Sequence, residues 1–146
     1  LENQAAQLGI RDTLRFPGHV RDMAAAYAAA DIAFNISEQE GLPRVAIEAQ
    51  AMGVPMIVSD TGPGREVART EPDVPPEAAS GLRVPCAAPG QLADAIERML
   101  ALPAEERRAM GARGAAYVRA NFTLDQLKSK TLQVYRTVLE RRRGNP

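Results

Sequence analysis

Ser37-Glu38-Gln39-Glu40-Gly41-Leu42-Pro43-Arg44-Val45-Ala46-Ile47-Glu48-Ala49 follows the apolar run Asp31-Ile32-Ala33-Phe34-Asn35-Ile36. The stretch reads as a strand, a turn centred on Gly41 and an apolar helix entered through Pro43, a residue suited to the first helical position because its missing N–H would be unpaired there. A helix that starts at the carboxyl end of a parallel strand offers free backbone N–H groups and the positive end of its dipole, which favour a phosphate or another anion. Glu40 and Glu48 flank that start. The helix carrying Glu48 (Val45, Ala46, Ile47, Ala49, Ala51, Met52) is apolar nearly all round, so a buried carboxylate is expected there. Such a group needs partners, either inside the protein or among the hydroxyls of a ligand such as a sugar. Side chains lean toward the N-terminus of their helix, which lets Glu48 reach back to the anion position. The plainer alternative is that Glu40 caps the helix and Glu48 holds a neighbouring backbone amide.

On either side of this stretch the pattern alternates. Leu1 to Gly9 reads as the tail of a helix stopped by Gly9. Leu14-Arg15-Phe16 is expected as a short strand closed by Pro17 and Gly18, and Met23 to Ala30 as an alanine-rich helix leading to the strand Ile32 to Ile36. After Gly53 come the strand Met56 to Ser59, the turn Gly62-Pro63-Gly64, a short helix near Arg65-Glu66-Val67, and the strand Gly81 to Val84. Three helices follow, over Pro89 to Leu102, Pro103 to Ala120 and Thr123 to about Arg142. In the last, Leu124, Leu127, Leu132, Tyr135, Val138 and Leu139 mark one apolar face, and Arg141 to Arg143 complements the dipole at its end. Alternating strands and helices of these lengths indicate parallel pairing through right-handed crossovers, hence an α/β, Rossmann-like doubly wound sheet. Ligands of such sheets bind beyond the carboxyl ends of the strands, where the loops at Gly18, Ser37 to Pro43 and Asp60 to Gly64 would lie. Thr70 to Ser80, acidic and proline-rich, is a surface loop without assigned chemistry.

A chain of 146 residues supports one core. Its 18 basic and 18 acidic residues cancel, leaving no overall field for nucleic acid. The single cysteine, Cys86, rules out an internal disulfide and fits a reducing compartment as a small buried or loop residue. No apolar run spans a bilayer and no signal peptide opens the chain, so a cytoplasmic location, at most peripheral to the inner membrane face, is expected. Without an initiating methionine the sequence reads as a fragment, a single partial domain over residues 1–146.

Several short motifs together resemble a known family. Phe16-x-Gly18, Ala30-Asp31 before a strand, Ser37-x-x-Glu40-Gly41-Leu42-Pro43, Glu48-Ala49-x-Ala51-x-Gly53-Val54-Pro55, Gly62-x-Gly64-x-Glu66-Val67 and Gly81-Leu82-x-Val84-Pro85 are similar to the C-terminal, donor-binding half of retaining GT-B glycosyltransferases of family 4 (glycosyl transferases group 1). Met110-Gly111-Ala112-Arg113-Gly114 through Asn121-Phe122-Thr123 is similar to that family's ending, so the likeness covers essentially the whole chain. Glu40 and Glu48 stand where the family has two glutamates separated by seven residues.

The resemblance implies a nucleotide-sugar donor, with the ribose hydroxyls on Glu48 and the donor sugar nearer Glu40, the candidate catalytic residue. Gly41, Leu42 and Pro43 would bring backbone close to the diphosphate, and Ser37, Arg44, Gly18 and His19 complete the candidate donor-binding set. No Asp-x-Asp pair occurs, so no metal and no cofactor are expected. Members also carry an upstream Arg and Lys that grip the diphosphate, and an N-terminal Rossmann domain that binds the acceptor, whether glycan, lipid or small molecule. Neither is in this sequence. The first two strands of the domain would also be missing, and in the strand order 3-2-1-4-5-6 they sit between Leu14 to Phe16 and Ile32 to Ile36. Leu14 to Phe16 is therefore expected at an exposed edge or unpaired, and residues 1–146 alone are not expected to transfer sugar. Two other readings stand beside this one: a GT-B-fold nucleotide-sugar epimerase, and a non-catalytic α/β interaction module that meets a partner through the acidic loop. Outside the resemblance, His19 reads more readily as a surface-loop residue than as a contact to base or sugar, Arg44 and Arg65 as solvated side chains at helix starts rather than phosphate contacts, and Tyr27, Tyr117 and Tyr135 as packing residues.

Overall fold

The computed structural model describes residues 1–143; of Arg143 it describes the backbone alone, so that side chain of the basic triplet lies outside the description. Three strands, β1 (Ala33–Asn35), β2 (Met56–Ser59) and β3 (Gly81–Val84), pair in the order β1-β2-β3, both ladders parallel. Phe34 is opposite Ile57, which is opposite Leu82. The helices are α1 (Glu2–Gln7), α2 (Met23–Ala28), α3 (Arg44–Ala51), α4 (Gly62–Val67), α5 (Pro89–Ala101), α6 (Ala104–Asn121) and α7 (Leu124–Arg143). The expected α/β architecture with a parallel sheet is the one observed.

β2 is buried at every position, as a central parallel strand covered on both faces must be. Its alternating side chains feed two cores. Met56 and Val58 pack with Tyr27 of α2, Ala46 and Ala49 of α3 and Val67 of α4. Ile57 points the other way, toward Val84, Ala95 and Met99 of α5 and Met110 of α6. α6 passes between the two sides at the amino ends of the strands, where Gly111 lies against the Gly53 carbonyl and Gly114 against Gln50. Gln50 is fully buried and satisfied: its amide nitrogen donates to Ala46 O and Val67 O at 3.1 and 2.7 Å, and its oxygen accepts from Ser80 Oγ at 2.9 Å. That network anchors the segment between α4 and β3 under α3.

Leu14 to Phe16 forms no strand. With no neighbouring chain to complete a ladder, residues 11–13 close into a 3₁₀ turn and Leu14 N–H bonds to Arg11 O at 3.3 Å. The Arg11 guanidinium lies 5.3 Å from the centre of the Phe16 ring. Its expected placement as unpaired is thus met, while the strand itself is absent. The expected all-round burial of α3 also fails. Ala46, Ala49 and Gln50 face inward, but Val45, Ala51 and Met52 are exposed because α3 covers the sheet from one side only. Pro43 precedes the helix as its N-cap, its carbonyl accepting from the Ala46 and Ile47 amides. The apolar face expected on α7 exists, with Leu124, Leu127, Tyr135 and Leu139 all exposed, and a reciprocal bond pair between Thr123 and Gln126 starts that helix. No helix among the described residues is long and apolar enough to cross a membrane.

The α6 contact gives a sharp test. A Cβ on Gly111 would stand 1.8 Å from the Gly53 carbonyl oxygen, a backbone atom that cannot swing aside, whereas a Cβ on Gly90 meets open space. Gly111→Ala is expected to lower stability by roughly 2–4 kcal/mol despite alanine's better helix propensity, and Gly90→Ala to change it by less than about 1 kcal/mol. Urea unfolding of both variants measures this, and coincident midpoints would show that α6 does not rest on Gly53.

Candidate functional site

The carboxyl ends of the three strands form one edge, and the loops leaving them are tied together there. Ser37 follows β1; its backbone N–H donates to Ser59 Oγ at 3.4 Å and its carbonyl accepts from the same hydroxyl at 2.8 Å. Cys86, just past β3, directs its thiol at the same Ser37 carbonyl from 3.6 Å. From Ser37 the loop runs through exposed Glu38 to Leu42 and enters α3. Among the described residues the amides of Leu42, Arg44 and Val45 have no hydrogen-bond partner, so the helix start presents free donors with the dipole behind them.

Glu48 lies on the first turns of α3, with its side chain 41% exposed, so it is not the buried acid expected from the pattern. It does have partners. Tyr27 Oη donates to Oε2 at 3.3 Å, and Arg44 Nη2 donates to Oε1 at 3.3 Å. Burial, together with the Glu48 charge and hydrogen bond, raises the Tyr27 pKa above its ordinary value, so the phenol stays a donor. Glu40 is exposed and makes no hydrogen bond or ion pair among the described residues, so the helix-cap alternative for it has no support in the geometry. Gly41 and Leu42 are exposed beside it, and Pro43 is buried.

Gly18, at φ +67°, makes the turn expected of it, and His19 after it is exposed. Ser37, Glu40 to Arg44 and Glu48 lie on the continuous segment from the end of β1 into α3, and no hydrogen bond or ion pair among the described residues joins Gly18 or His19 to it.

Sequence reasoning passed over three residues. Tyr27 packs in the core as expected, and the role not foreseen is that of its hydroxyl, which donates to Glu48. Ser59 ends an apolar buried strand, and a hydroxyl in that place was the available signal. Arg83 was masked within β3; its side chain is 7% exposed, its Nε is 3.0 Å from Asp60 Oδ1, and its Nη1 bonds to Asp73. Arg65 also holds Asp60 at 2.8 Å while its side chain stays 54% exposed, a solvated group as expected but with an ion-pair partner. The turn after β2 and the acidic loop are therefore bound to β3 through one guanidinium. The pair with Arg65, more than burial can oppose, holds the Asp60 carboxyl below the usual aspartate range.

Because the folded value is the lower one, the Asp60 contribution is fully present above the unfolded pKa of about 3.9 and is lost as pH falls through the folded value. Wild-type protein is expected to exceed Asp60→Asn in unfolding free energy at pH 6, with the gap closing below about pH 4. Denaturation at a series of pH values checks it; a gap independent of pH would mean that the carboxylate charge is not what matters.

A family model described as glycosyl transferases group 1 matches residues 1–117. The chain is 38% identical over 133 residues to the D-inositol 3-phosphate glycosyltransferase of Salinispora tropica, a match covering 90% of this chain and 26% of that protein. Sucrose-phosphate synthase from Thermosynechococcus elongatus superposes with a TM-score of 0.81 at 31% identity, over 95% of this chain and 33% of that one. The Anabaena protein HepE, solved in complex with UDP-glucose, shares the fold at 19% identity, with a TM-score of 0.79 over 92% of this chain and 35% of that chain. The chain thus spans about a quarter to a third of the length of the curated relatives it matches.

Proposed function

The chain belongs to the glycosyl transferases group 1 family, and from that premise we propose that it is the donor-binding part of a retaining glycosyltransferase that uses a nucleotide sugar. In the proposed reaction the bond between the anomeric carbon and the diphosphate oxygen breaks, its electron pair leaving with the nucleoside diphosphate. An acceptor hydroxyl oxygen bonds to the anomeric carbon on the face the diphosphate left, and its proton passes to the departing diphosphate oxygen. The acceptor is a glycan, lipid or small molecule, gripped by a further Rossmann domain outside residues 1–146, and the first two strands of the present domain also belong to sequence outside it.

One observation carries the reading: the unpartnered amides of Leu42, Arg44 and Val45 open α3 one turn from a carboxylate, Glu48, that is half-exposed on the same helix. Amides and dipole suit the diphosphate. Charge gathers on the departing diphosphate in the transition state, so donors already fixed in place lower the barrier without reorganising. Glu48 accepts from the ribose hydroxyls. Glu40, exposed ahead of the helix, lies on the sugar side. The reading needs no metal and no cofactor. The interaction-module alternative is weaker, because the acidic loop it relies on is engaged internally through Asp73 with Arg83 and Glu71 with Arg98.

In the full-length protein, Glu48→Gln keeps the shape and removes the charge from bonds to hydroxyls, so nucleoside diphosphate binding is expected to weaken by roughly 1.5–3 kcal/mol. Glu40→Gln should leave that binding nearly unchanged and lower kcat, since its contact is to the reacting sugar. Calorimetric titration with UDP, GDP and ADP, beside transfer rates, decides between them. Wild-type affinity in Glu48→Gln would reduce that carboxylate to a partner of Tyr27 and Arg44.

A further inference from the structure

We propose that Ser59 is the positioning residue that sets the loop Ser37–Pro43 for transfer, a role that rests on the donor-site reading above. Ser59 is 2% exposed at the end of β2, and its hydroxyl engages both polar groups of the Ser37 backbone, donating to the carbonyl at 2.8 Å and accepting from the N–H at 3.4 Å, while the Cys86 thiol reaches the same carbonyl from 3.6 Å. A two-point attachment fixes the orientation of a peptide unit as well as its position, which a single bond does not. Ser37 is where the chain leaves β1, so its orientation determines the course of the loop toward Glu40.

The other side of Ser59 is equally constrained. Its carbonyl accepts from Thr61 N at 2.9 Å, and the Gly64 backbone approaches so closely that a Cβ there would be 2.1 Å from that oxygen. Ser59 thus holds the turn opening α4 through its carbonyl and the loop opening α3 through its hydroxyl. A small side chain with one donor and two acceptor positions meets the requirement, and alanine in the same place meets only the requirement of size. Glu48, by contrast, is carried by α3, which Ala46 and Ala49 seat on the sheet independently of Ser37. The two halves of the site therefore have separate supports, and loosening Ser59 acts on the sugar half more than on the ribose half.

The test uses the full-length protein and three measurements. In Ser59→Ala, the Ser37 amide, which loses its acceptor, is expected to exchange hydrogen faster, while the amides of residues 48–51, bonded within α3, are unchanged. Turnover is expected to fall at least about tenfold, and UDP, GDP or ADP affinity by a smaller factor, because Leu42 is the one of the three free amides carried by the loop while Arg44 and Val45 belong to α3. Ser59→Thr, which keeps the hydroxyl, restores turnover. Unchanged exchange of the Ser37 amide overturns the assignment whatever the activity. Faster exchange with unchanged kcat overturns its consequence for transfer, and parallel loss of kcat, affinity and thermal midpoint reduces Ser59 to a stability residue. If the wild-type protein binds none of the three diphosphates, it is the donor-site reading that fails, and the exchange experiment still decides whether Ser59 holds the loop.

Discussion

Burial of β2 on both faces is the constraint from which the rest of the structure follows. Met56, Ile57 and Val58 are removed from water into two different cores, each side chain contributing about 1.5–3 kcal/mol of apolar transfer. A slip of one residue would send Ile57 toward α3 and Val58 toward α5, exchanging a larger and a smaller side chain between packed layers. The register is therefore held from both sides at once. Because β2 is only four residues long, fixing its register also fixes Ser59 and Asp60 at its end, and through them the loops that leave β1 and β2.

Polar groups do at the strand ends what apolar groups do along the strand. At the amino edge Gln50 and Ser80 bond to each other, and the Gln50 amide satisfies the Ala46 and Val67 carbonyls. Beside β3, Arg83 is withdrawn from solvent, a step that costs several kcal/mol for an ion and is offset only where good partners exist. Asp60 and Asp73 supply them from two separate segments. The acidic loop is consequently part of the fold's electrostatics, and loss of either carboxylate would leave a poorly compensated guanidinium beside β3.

The order of strands and helices was legible in the sequence because β2 and β3 are short apolar runs beside Gly or Pro, β1 is a short apolar run, and α7 keeps a helical period. Leu14 to Phe16 misled for the same reason: an apolar tripeptide before Pro-Gly looks like a strand, but a ladder needs a neighbour, and pairing is not encoded locally. Glu48 misled through composition. Val45, Ala51 and Met52 are apolar yet exposed, and nothing in a single sequence distinguishes an apolar residue that faces a core from one that does not. The helix start and its two glutamates were legible as a motif. The Ser37–Ser59 attachment was not, since it joins residues 22 apart through a hydroxyl whose direction only the packed sheet determines.

The partial exposure of Glu48 bears on how a ligand would be admitted under the proposed reading. A fully buried carboxylate would already be saturated by protein donors, and a ligand hydroxyl would have to displace one. Here the two partners differ. Tyr27 is buried and its phenol is held protonated by burial and by the Glu48 charge, so it remains a fixed donor that orients one carboxylate oxygen. Arg44 is 81% exposed, and such a surface ion pair contributes no more than about 1 kcal/mol. Ribose hydroxyls would therefore replace the exposed partner and keep the buried one. The carboxylate is oriented before binding, and little of the binding energy goes into freeing it. The released guanidinium would still be at the start of α3, next to the free amides, where a diphosphate would carry its negative charge.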